Sequence, residues 1–149
     1  MLIAFQNPLN ESALAFPILE CFHIVGFAIA LGTIALVDFR LLGFGLRRQN
    51  AAELSKALAP WTLFGLALVL LSGPMLFSSD PDMYYLNRSF QIKMVLLLLA
   101  LVFHYTLRRK LLGGGASPNL NKLAACISLA LWTGVIFTGI FIAFVVTPE

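Results

Sequence analysis

Pro17 to Leu42 reads PILECFHIVGFAIALGTIALVDFRLL and is interrupted by only four ionisable side chains, Glu20, His23, Asp38 and Arg40. At 1.5 Å of rise per residue, a helix of this length crosses the roughly 30 Å hydrocarbon core of a bilayer. Three further stretches have the same character. The segment between Lys56 and Asp80 carries no charge, Phe90 to Leu107 is broken only by Lys93 and His104, and Leu123 to Val146 is uncharged. Transmembrane strands would alternate over about ten residues, which these continuous runs do not. The reading is an all-α membrane protein, one transmembrane domain over residues 1–149. It predicts an antiparallel four-helix bundle with helices at about 17–42, 58–78, 89–108 and 122–146.

Composition excludes the main alternative. The chain has 149 residues, 60% of them hydrophobic and 11% charged, with a mean hydropathy of +0.91 and a mass of 16.3 kDa. A soluble domain of this size leaves too much surface in water to hide that much apolar area. The pI near 9.1 raises nucleic acid as a partner, but the basic residues sit between apolar runs with no aromatic-interleaved phosphate-binding surface. The partner they imply is the lipid bilayer.

Eight of the ten Lys and Arg flank two connections: Arg40, Arg47, Arg48 and Lys56 the first, Arg108, Arg109, Lys110 and Lys122 the third. The other side holds Glu11, Asp80, Asp82, Glu149 and Arg88. By the positive-inside rule, both termini and the second connection face the periplasm of a bacterial inner membrane. Met1 to Ser12 has no basic region ahead of Glu11, so the first span reads as its own signal anchor. Asn10 or Ser12 is a candidate cap ahead of Pro17. Gly73 and Pro74 predict a break or kink in the second span, and GGGASPN at 113–119 a flexible turn. Tyr84 and Tyr85 suit an interfacial belt, and Trp61 and Trp132 suit interface or packing. Cys21 and Cys126 differ too much in depth for a disulfide and read as small buried hydrophobes.

Ionisable residues inside spans are costly and generally face a bundle interior or cavity. At about 100° per residue, His23, Gly26, Ala30, Ile34 and Asp38 form one stripe on the first helix. Lys93, Leu97, Ala100 and His104 form another on the third. Counted from the basic markers, His23 lies 17 residues above Arg40 and Lys93 15 above Arg108, whereas Asp38 and His104 lie two and four above them. Two levels follow, roughly 16 to 22 Å apart. His23 and Lys93 share the outer one. Asp38, Arg40 and His104 form a secondary polar site at the inner one, where Asp38 and His104 are expected within bridging reach of each other.

The stretches FHIVGFAIALGTIALVDFRLLG, with His23, Gly26, Gly32 and Arg40, APWTLFGLALVLLSGPMLF, and NRSFQIKMVLLLLALVFH, with Lys93 and His104, resemble a family of small bacterial four-helix inner-membrane proteins of unknown function. The similarity covers about residues 10–110. More distantly, the layout is similar to HemJ-type protoporphyrinogen oxidases and CopD-like membrane domains. That resemblance implies haem b held by His23 and Lys93 as metal ligands. For a haem protein so placed, quinone or another membrane redox protein is the candidate electron partner. Asp38 has no counterpart in the HemJ pattern. Lysine ligates iron only as the neutral amine, which burial favours. Four-helix bundles hold cofactors between facing helices, and Gly26 and Ala30 on the His23 face would admit a flat macrocycle.

Each residue also has a plainer reading. Lys93 can snorkel to the interface, His23 can pair with Glu20 one turn away, and Gly26 with Ala30 can serve as a small-residue packing face. Asp38 with Arg40, and His104 with Arg108, can orient helices at the interface. Three functions therefore compete: a haem b-binding redox protein, a small transporter or ion-pathway module, and a non-catalytic structural or assembly subunit. An oligomer is compatible with all three.

Overall fold

A computed structural model describes residues 11–45, 50–114 and 117–144. Arg47, Arg48, Asn10, Glu149 and Val146, which entered the sequence reading, lie outside them. Every regular element described is helical: α1 Ala15–Leu42, α2 Ala51–Ser79, a short α3 Pro81–Leu86, α4 Arg88–Phe103, a π-helical turn His104–Arg108, α5 Arg109–Gly113 and α6 Pro118–Phe141. Four segments are long and apolar enough to cross a membrane: Ala15–Leu42, Ala51–Ser79, Arg88–Gly113 and Pro118–Phe141. The protein is a multi-pass membrane protein.

The helix starts are set by caps. The Asn50 side chain accepts from the Ala52 N–H, so α2 begins well before the expected position 58. The AAELSKAL run with Glu53 and Lys56 reads as a connection by hydropathy but as a helix by propensity. Ser117 accepts from the Leu120 N–H ahead of Pro118, which starts α6 four residues before position 122. Asn87 accepts from the Ser89 and Phe90 N–H groups and donates to the Ile142 carbonyl, tying the start of α4 to the end of α6. The helix is not broken at Gly73 and Pro74, where a break or kink is expected: α2 is helical through both Pro60 and Pro74. Neighbouring helices in a bundle hold such a segment together where one backbone bond is missing.

α1 packs along α2, α4 along α6, and α1 also along α6. The α1–α2 crossing is tight because both sides are small. A Cβ on Gly65 would stand 2.6 Å from the Ala30 nitrogen and the Gly26 oxygen, and one on Gly26 would stand 2.6 Å from Leu68 Cβ. In lipid, close backbone approach of this kind is a main source of helix association. All four spans contribute to the buried centre through Ala30, Ile34, Leu66, Ala100 and Trp132. Phe27 meets Trp132 edge-on, with centroids 6.2 Å apart. Leu63, Leu71 and Leu98 point outward, as lipid contact requires. Cys21 and Cys126, read as buried, stand exposed on the outer faces instead, where a thiol is apolar enough for hydrocarbon.

Candidate functional site

Polar side chains enter the bundle at two levels. At the first, Ser72 Oγ lies 2.6 Å from the Leu68 carbonyl and 2.8 Å from His23 Nδ1. With the hydroxyl hydrogen on the carbonyl, the imidazole donates from Nδ1 and carries its lone pair on Nε2; with that hydrogen on Nδ1, the tautomer is reversed. The partner of His23 is Ser72 on α2, not Glu20 on its own helix. The Lys93 ammonium lies close enough to act electrostatically on the His23 ring. A Cβ on Gly139 would come within 3.3 Å of Lys93 Nζ, and one on Gly73 within 3.6 Å of His23 Cε1. All four spans thus meet here, and two glycines adjoin the two nitrogen-bearing side chains.

Gly26 and Ala30 do not have the place the sequence suggests for them. They lie on the His23 face, but the space beside Gly26 that a macrocycle would need is filled by Gly65 and Leu68. Near this level Tyr84 is packed among Phe77 and Phe90, with centroids 6.2 and 5.7 Å away. Burial pushes its phenol above the usual range, with the Glu20 and Asp80 carboxylates adding to the effect. Tyr85 is the outward-facing member of the pair.

At the second level, Arg108 in the π-helical turn donates to Asp38 Oδ1 at 2.7 Å and to the Ile34 carbonyl at 3.1 Å. Its other terminal nitrogen lies 3.0 Å from His104 Nδ1. A guanidinium only donates, so Nδ1 accepts and His104 is a neutral ring carrying its hydrogen on Nε2. Asp38 and His104 are joined, but through Arg108 rather than directly. Arg40, expected beside Asp38, sits in the last turn of α1, while the Asp38 ion pair is made to α4's continuation. Ser128 on α6 is fully buried beside this carboxylate. Between the levels, Thr33 and Thr62 share a 2.8 Å hydrogen bond across α1 and α2.

A family of unknown function (DUF6644) matches residues 15–145, which take in every residue of both levels. The chain belongs to this family. No curated protein and no solved structure matches it. The family match covers all four spans, so both polar levels lie within the matched region.

Arg108, Ser72, Ser128 and the Thr33–Thr62 pair were missed as interior groups. Arg108 stands first in the basic run RRK and so reads as an interface charge. The signal that it belongs inside was Asp38: a carboxylate within a span requires a partner at its own depth, and Arg108 is the nearest such cation on the third span. Hydroxyl side chains give no comparable signal, because they satisfy themselves on the carbonyl four residues back, as Ser72, Thr62 and Thr138 do.

Proposed function

We propose that the chain is a haem b-binding redox protein of the bacterial inner membrane, with His23 and Lys93 as the iron ligands. One observation carries the reading: Ser72 on α2 holds the His23 ring at Nδ1, 2.8 Å away, with the Lys93 side chain within electrostatic range of the same ring. Metal-bound histidines characteristically have their second ring nitrogen held in this way. The residues present fit such a group by donor type. Gly73 and Gly139, rather than Gly26 and Ala30, supply the small surface next to the ligands. Bound haem would supply one-electron chemistry, and quinone or a second membrane redox protein is the partner that chemistry calls for. The resemblance to HemJ-type oxidases gives the enzymatic version, oxidation of a porphyrinogen.

The same reading places the helices antiparallel in a single domain, with both termini periplasmic. His23 with Ser72, and Thr33 with Thr62, meet in opposite order along α1 and α2. Arg109, Lys110 and Lys122 are exposed near the connection to α6, and Asp80 and Asp82 near α3, which supports a cytoplasmic third connection. The absorption spectrum of the purified protein, expressed with ample haem precursor, is the test. A Soret band that stays with the protein through size-exclusion chromatography is expected, and protein without one would reject the reading. A second reading, an ion-pathway module, is favoured by the Thr33–Thr62 bond between the two levels. Ion flux through proteoliposomes, with none through Thr62→Val, would favour it.

A further inference from the structure

A cavity of about 60 Å³ lies between α1, α2 and the π-helical turn, walled by the hydroxyls of Thr33, Ser55 and Thr62 and by His104, Tyr105 and Arg108. Its size excludes a ring. A cavity that takes benzene measures about 150 Å³, whereas one water occupies about 30 Å³ of liquid. It has room for a few waters or one small ion.

The chemistry of the surroundings decides between them. Arg108, which lines the cavity, has a buried Nε–H with no hydrogen-bond partner, and that donor needs an acceptor. Asp38 and Ser128 stand outside the lining, the Ser128 side chain beside the Asp38 carboxylate. A cation would face the guanidinium with no carboxylate in the wall to hold it. A water oxygen supplies the acceptor, and its hydrogens suit the hydroxyl-bearing side chains of Thr33, Ser55 and Thr62. The Asp38 and Arg108 charges also cancel at 2.7 Å, which leaves little net field to hold an ion of either sign. His104, a wall of the cavity, is a neutral ring that offers an N–H donor, matching water oxygen equally well.

We infer that this cavity is a hydrated vestibule, a water-binding site in exchange with the nearer aqueous phase, and that its water brings proton exchange to the His104–Arg108–Asp38 chain. The π-helical turn makes the site. Single π-turns in otherwise α-helical segments are frequent at functional positions, and this one spans both His104 and Arg108. The inference stands whether or not haem binds at the His23 level, since none of its residues belongs to that level.

The test is cysteine labelling at matched depth, in a Cys21→Ala, Cys126→Ala chain in membranes opened on both sides. Thr62→Cys is compared with Leu63→Cys, its outward-facing neighbour at 61% exposure. Thr33→Cys is compared with Gly32→Cys, where a Cβ meets nothing within 4 Å. Water-soluble thiosulfonates react with the thiolate, which forms only where water reaches. Labelling about tenfold or more faster at the threonine position of either pair is expected. Equal or slower labelling in both pairs, each variant eluting as a single folded species, would overturn the vestibule. Protection of the fast cysteines by millimolar chloride would overturn water in favour of an anion.

Discussion

Asp38 and Arg108 are seventy residues apart in the chain and 2.7 Å apart in the structure, and their ion pair ties the first span to the third inside the bundle. A buried pair adds little to stability compared with apolar residues, yet breaking it from one side leaves a bare charge. Asp38→Ala should therefore cost about 3–5 kcal/mol, whereas Asp38→Leu combined with Arg108→Met should recover most of it. Thermal unfolding in detergent, followed by circular dichroism, checks this. A double variant as unstable as the single one would contradict it.

Gly65→Ala should loosen the α1–α2 crossing, because the new methyl would meet backbone atoms of Ala30 and Gly26 at 2.6 Å. Overpacking of this kind costs about 1–3 kcal/mol. Gly32→Ala, with open space around it, should leave the unfolding midpoint unchanged or slightly higher. Equal midpoints for the two variants would show that the crossing is not as close as described.

The phenol of Tyr84 ionises later than an ordinary tyrosine, chiefly through burial and then through Glu20 and Asp80. The folded state thus holds its proton above about pH 10, where the unfolded state has lost it. The sign follows: this group's contribution is fully present below about pH 10 and is lost as pH rises beyond it. A spectrophotometric titration at alkaline pH should show a late component that Tyr84→Phe removes. Persistence of that component in the variant would assign it to another tyrosine.

Hydropathy made the four spans legible because a bilayer admits almost nothing else over such lengths. The His23–Lys93 and Asp38–His104 levels were legible too, since depth in a helix is a simple count from a fixed marker. What the sequence hid were interactions that cross between spans with no periodic signature. Gly26 and Ala30 lie on the His23 stripe, but only the position of Gly65 on α2 shows that their face is already filled. Likewise Arg108 looked like a marker of the interface, and the π-helical turn that carries it inward leaves no mark in residue pattern.

Alkaline phosphatase fused after residue 144, or within 80–87, should be active, and the same reporter at Gly114 inactive, if basic residues retain the first and third connections on the cytoplasmic side. The reverse pattern would invert the bundle without altering its packing.

The proposed metal site is His23 with Lys93. Absorption spectra of the wild type, His23→Ala, Lys93→Ala and His104→Ala, purified alike, test it most directly. His23→Ala should abolish the Soret band, Lys93→Ala should weaken it or change its spin-state signature, and His104→Ala should leave it nearly intact because that ring is engaged with Arg108 at 3.0 Å. A wild type with no bound haem, or a band lost in His104→Ala but retained in Lys93→Ala, would contradict the account.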